Sequence, residues 1–167
     1  MRRGLFGLAI LLMISPSRAS QPQVRAEAYF KPGIGLVKFD LFMQYLGSAS
    51  GGRVPLEITL AMARKSIIDA GQLGTPYLRV AASGYSARDL DLWRTDPREH
   101  WRRFDQMLQD MGRYRLQIIP TLSWWIGQFP LACREGVATF INDQNSCSQQ
   151  LFYRYTTELV NRYKNHS

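Results

Sequence analysis

The chain has 167 residues, of which 46% are hydrophobic, 12% aromatic and 20% charged, and its formal net charge is +8. Such a composition excludes a disordered or collagen-like polypeptide and suits one globular domain with a buried core. No internal stretch reaches the roughly 18 uninterrupted apolar residues of a membrane span, so stable membrane insertion is excluded once the N-terminal apolar run is cleaved.

That run opens the chain. Arg2 and Arg3 form a positive n-region, Leu5 to Ile14 is apolar apart from Gly7, and Ser17-Arg18-Ala19 places small residues at −3 and −1 of a cleavage site. Residues 1–19 therefore read as a signal peptide, and the mature protein is expected to be secreted or periplasmic. The alternative, a short buried helix or uncleaved anchor, is opposed by the shortness of the run and by Pro16 behind it. The paired arginines point weakly to the twin-arginine route, and no cysteine follows the run to take a lipid. Removing Arg2, Arg3 and Arg18 lowers the formal charge from +8 to +5. The remaining cations are dispersed among acids rather than clustered as a nucleic-acid footprint, and Arg98, Arg102 and Arg103 read as the wet face of a helix.

A polar lead-in, Ser20 to Lys31, precedes Pro32-Gly33 and a mainly apolar run, Ile34 to Phe39, of strand length. Gly47 to Gly52 reads as a flexible loop. Pro55 suits a first helical position, and Leu56, Leu60, Ala63, Ile67 and Ile68 follow at helical spacing to a glycine stop at Gly71. Tyr77 to Ala82 is a second buried strand, and the polar stretch Ser83 to Arg94 is too long for a hairpin turn. Asp96-Pro97-Arg98-Glu99 combines an N-cap, a proline at N1 and an acid at N3. Trp101, Phe104, Leu108 and Met111 then continue one helical face to Gly112.

The third strand is Leu116 to Leu122, with Pro120 placed near its end, where a missing donor is tolerated. A long loop from Ser123 to about Ser148 carries Trp124, Trp125, Phe129, Cys133 and Cys147. Leu151, Phe152, Tyr155, Leu159, Val160 and Tyr163 mark a final amphipathic helix. In an exported chain the two cysteines point to a disulfide, which the loop-entropy model credits with about 3 kcal/mol for a loop of roughly 15 residues. His100 and His166 lack the spacing and cysteine company of a zinc site, and nothing calls for a metal or a cofactor.

Strand, helix, strand, helix, strand, helix is the pattern of parallel β/α units, an α/β fold. Two architectures use such units: an open doubly wound sheet, and a closed eight-stranded barrel of about 250 residues. An open nucleotide-binding sheet should show a glycine-rich turn after its first strand. Neither G-x-G-x-x-G nor a P-loop follows Ile34 to Phe39.

Phe30-Lys31-Pro32-Gly33-Ile34-Gly35, Tyr77-Leu78-Arg79-Val80, the helix from Trp101 into Leu116 to Leu122, and Tyr155 to Lys164 together resemble the first three β/α units of a cellulase- or mannanase-like glycoside hydrolase. Glycoside hydrolase family 5, with its retaining enzymes on the (β/α)8 barrel, is the nearest likeness, covering about residues 30 to 165. The resemblance implies an incomplete TIM-type barrel, about three of eight units, acting on a β-linked polysaccharide. It assigns Arg79, at the end of the second strand, to holding the nucleophilic carboxylate; a structural arginine paired with a neighbouring acid is the alternative. Trp124 and Trp125 follow the third strand, where an aromatic platform stacks on sugar rings. The other reading is that one or both simply pack the loop.

The chain departs from the family in two respects. Ser123 stands where several members carry a histidine. Retaining hydrolysis also needs two carboxyls about 5–5.5 Å apart, which the family takes from an Asn-Glu pair after the fourth strand and a glutamate after the seventh. No Asn-Glu dipeptide occurs here. Glu27 precedes the barrel, Glu57 and Glu99 sit in first helical turns, Glu158 lies within the last helix, and only Glu135, in the tryptophan-bearing loop, could face a cleft. No serine, cysteine and histidine arrangement offers another hydrolytic chemistry. The leading expectation is thus an N-terminal portion of an exported glycoside hydrolase, inactive as written for want of both catalytic glutamates. A second is a small exported carbohydrate-binding protein using Trp124, Trp125 and Phe129 without catalysis. A third is self-association through open sheet edges.

Overall fold

The computed structural model describes residues 35–165. The signal-peptide reading of residues 1–19, the lead-in with Glu27, and His166 lie outside them. The described residues form a mixed α/β unit around a three-stranded sheet. Its strands are β1 (Leu36–Val37), β2 (Tyr77–Ala81) and β3 (Gln117–Thr121), in the order β1-β2-β3. All pairings are parallel, with Leu36 opposite Leu78 and Leu78 opposite Ile118. Parallel neighbours need long crossovers. These are supplied by α1 (Leu41–Leu46) and α2 (Leu56–Gln72) between β1 and β2, and by α3 (Asp91–Thr95) and α4 (Pro97–Gly112) between β2 and β3. Beyond β3 come α5 (Gln128–Cys133), α6 (Val137–Asn142) and α7 (Cys147–Tyr163).

Side chains alternate across a strand, and here one cross-strand row of the sheet is left exposed although Ala81, on the same face, is buried. Leu78 and Val80 are buried with Phe104, Met107, Met111, Tyr155 and Leu159 in one core. On the face opposite Leu78 and Val80 the row Val37, Arg79, Ile119 is exposed; Val37 is 58% and Ile119 45% exposed.

Helix α4 forms for reasons visible in its residues. Asp96 accepts the Glu99 backbone N–H at 3.1 Å, Pro97 occupies the first turn without wasting a donor, and Trp101, Phe104, Leu108 and Met111 turn inward. Pro120 sits opposite Val80 within β3. Gln117 N–H donates to Pro76 and Thr121 C=O accepts from Ala82, both at 2.9 Å, so odd-numbered β3 residues bond to β2. The missing Pro120 N–H therefore faces the outer edge and breaks no ladder bond.

Several boundaries differ from those read in the sequence. Helix α1 occupies residues assigned to no element; it buries Leu41, Phe42 and Tyr45 completely, so packing makes this short helix stable. Part of the supposed flexible loop is a 3₁₀ turn, Ala49–Gly52. Helix α2 begins one residue after Pro55 and runs through Gly71. Gly71 is a packing glycine, since a Cβ there would lie 2.8 Å from Tyr114 Cβ, and the chain turns instead at Gly74, with φ +71°. The polar stretch after β2 folds into a 3₁₀ turn, Ala87–Leu90, and α3, which bring Leu90 and Trp93 into the core. The loop after β3 contains α5 and α6.

Candidate functional site

Four aromatic rings meet where the three parallel strands end. Phe39 follows β1, Tyr85 follows β2, and Trp124 and Trp125 follow β3. Trp124 stacks on Phe39 at 5.5 Å and 28°, Phe39 meets the edge of Tyr85 at 6.2 Å, and Tyr85 stacks on Trp125 at 5.8 Å and 24°. The rings form one continuous chain, Trp124-Phe39-Tyr85-Trp125, and three of them stay open to solvent: Phe39 at 41%, Tyr85 at 43% and Trp125 at 38%. Exposed, mutually supported ring faces are suited to burying an apolar planar surface of a ligand.

The backbone beneath these rings is tightly held. Gly127 lies under the Trp125 indole, where a Cβ would come within 2.4 Å of Cζ2. The buried Asp89 carboxylate accepts the Tyr85 and Ser86 N–H groups at 2.7 and 2.6 Å and the Ser86 hydroxyl at 3.1 Å. Gly84, at φ +78°, lets the chain pass directly over that carboxylate. From α5, the buried Gln128 donates to the Ser83 and Ser86 carbonyls and accepts the Ser83 hydroxyl at 2.9 Å. The loop bearing Tyr85 is thus clamped by the element that follows Trp125.

Arg79 lies beside this cluster. Its Nε donates to Thr121 Oγ1 at 2.8 Å and its guanidinium carbon stands 5.2 Å from the Trp124 ring centroid. No carboxylate pairs with it among the described residues. The two acids near the strand ends are otherwise engaged: Asp40 by Lys38 at 2.5 Å and Gln44 at 3.0 Å, Asp89 by its own loop. Ser123 donates to the Trp125 carbonyl at 3.2 Å.

The glutamates do not converge. Glu135 accepts the Cys147 and Ser148 N–H groups, each at 3.0 Å, and the Ser148 hydroxyl at 2.5 Å, so it caps α7 instead of facing a cleft. The Ser148 hydroxyl, followed by those backbone bonds, holds its carboxyl below the usual range. Glu158 accepts from the Trp93 and Trp101 indoles at 2.7 and 3.3 Å, and Glu99 is bound by Arg102 and Arg103. Cys133 and Cys147 form a disulfide that ties the end of α5 to the start of α7.

His100 belongs to the core. Tyr155 donates its single proton to the Ala82 carbonyl at 2.6 Å, so the 3.1 Å contact to His100 requires an Nε2–H donor, leaving Nδ1 an unpartnered acceptor among the described residues. Burial first, then the nearby Arg103 charge, pushes its pKa down to about 3. Among the described residues no group of three or more His, Cys, Asp or Glu could hold a metal, and no helix is long and apolar enough to cross a membrane.

Of the residues singled out in the sequence, Arg79, Trp124 and Trp125 lie together, whereas Phe129 is fully buried against Phe152 and Tyr155. Phe39 and Tyr85 escaped the sequence reading although each follows a strand just as Trp124 does. No protein-family model matches the chain, and no curated protein matches it.

Proposed function

We propose that this chain supplies β/α units of an exported, TIM-type glycoside hydrolase of cellulase or mannanase kind, and that its strand ends bind a β-linked polysaccharide. One observation carries the reading: four aromatic rings gather at the C-terminal ends of consecutive parallel strands, where β/α barrels hold substrate. The exposed row Val37, Arg79, Ile119 fits the same reading, because a parallel sheet is normally covered on both sides. Hydrolysis would require carboxylates beyond the described residues, so residues 35–165 contribute binding and positioning, with Arg79 in the exposed row. Titration of the full chain with cello- and manno-oligosaccharides, followed by tryptophan fluorescence, tests this. Saturable binding that Trp125→Ala weakens by about tenfold is expected, in line with the roughly 1.5 kcal/mol an aromatic contact contributes. Absence of binding would refute it.

A second reading, sugar binding without catalysis, is favoured by the structural engagement of Glu99, Glu135 and Glu158. Rapid hydrolysis of either oligosaccharide series by the purified chain would exclude it.

A further inference from the structure

We propose that Arg79 makes the aromatic cluster a site for an acidic sugar, a β-linked uronate whose carboxylate pairs with the guanidinium while its ring lies on the exposed aromatic faces. The inference rests on the sugar-binding reading above and narrows it to a substrate class.

Arg79 is solvent-exposed at the middle of β2, with the exposed Val37 and Ile119 as its row neighbours on the adjoining strands. Neither neighbour offers a counter-charge. Asp40 and Asp89 are engaged by their own partners, so no acid neutralises Arg79 among the described residues. Thr121 and the Trp124 ring hold two sides of the guanidinium, through Nε at 2.8 Å and by stacking at 5.2 Å. Among the described residues no side chain or carbonyl engages the terminal N–H groups, which face solvent. A planar fork fixed by one hydrogen bond and one ring matches a carboxylate bidentately, with less entropy left to lose on binding. Trp124 carries the arrangement into the ring chain that ends at Trp125, so anion and ring faces form one continuous surface. A neutral glucan or mannan would desolvate the guanidinium without supplying an opposite charge.

The test compares a C6-oxidised cello-oligosaccharide, an oligoglucuronate, with its neutral parent by calorimetry on the full chain. The uronate is expected to bind at least about tenfold more tightly in dilute buffer, the increment of a charge-assisted hydrogen bond. That ratio should fall in 0.5 M NaCl, where the Debye length shrinks to a few ångströms. Arg79→Gln should bring the ratio of the two affinities to about one, and Arg79→Lys should restore part of it. Equal affinities in the unmodified chain, or a ratio unchanged in Arg79→Gln, would overturn the inference while leaving sugar binding intact. Failure of both ligands to bind would remove the underlying reading as well. The salt dependence is read on the unmodified chain and needs no variant to fold.

Discussion

Substituting His100→Gln should make the fold less sensitive to mild acid. The imidazole is fully buried, packed edge-on against Phe42 at 5.1 Å and Trp101 at 4.8 Å, with Nε2 engaged by Tyr155. Its pKa falls from 6.5 to about 3 on folding. Because the folded form resists protonation, this group's contribution to stability is complete above about pH 6.5 and declines as the pH falls toward 3. Linkage gives a loss of about 2 kcal/mol between pH 7.5 and pH 5.0, at roughly 1.4 kcal/mol per unit below the unfolded pKa. Glutamine keeps an amide donor for Tyr155 and carries no titrating proton. Glu99, held down to about 2 first by Arg102 and then by Arg103, loses its contribution only below about pH 4.5, outside this window. Urea unfolding followed through Trp93 and Trp101, which flank Tyr155 at 5.0 and 5.5 Å, measures the effect in both proteins. His100→Gln is expected to be less stable at pH 7.5, because it loses ring packing, yet to change far less between the two pH values. An acid-dependent loss equal in the two proteins would refute this account of His100.

Gly127→Ala should disturb the site without touching its chemistry: the added methyl would strike the Trp125 indole, so oligosaccharide affinity should fall as in Trp125→Ala while far-UV circular dichroism is retained. Replacing Cys133 and Cys147 together by serine should cost about 3 kcal/mol in the loop-entropy model, measured as a lower urea midpoint with an unchanged slope.

Much of the helical layer is legible in the residues, and α4 most clearly, because capping, proline placement and an apolar stripe all agree there. Helix α1 is not. No side chain caps it, and six residues are too few to display a period, so its burial against α2 and α4 decides its state. Gly71 misleads for a related reason: a glycine near the end of an apolar period reads as a stop, yet this one exists to admit the Tyr114 ring. The site divides in the same way. Trp124 and Trp125 stand out because tryptophans directly after a strand are conspicuous in one dimension. Phe39 reads as the last residue of the first strand, and Tyr85 as one of many in a polar stretch. Their partnership emerges only when parallel register brings the ends of β1 and β2 side by side.

The exposed row Val37, Arg79, Ile119 connects the fold to the proposed activity. A parallel sheet buried on one side exposes on the other a row that, in isolation, gains nothing from its aliphatic side chains: Val37 and Ile119 remain in water on either side of Arg79. Covering that row with a second flat layer would bury the guanidinium among hydrocarbons, a cost of several kcal/mol unless a counter-charge came with the layer. A ligand carboxylate arriving at the strand ends, where β/α barrels hold substrate, would supply that counter-charge. There an anionic group can meet Arg79, and a ring attached to that group can reach Phe39, Tyr85 and Trp125. On the proposal above, the same arginine that makes this row hard to bury would give the strand-end aromatic cluster a charge preference.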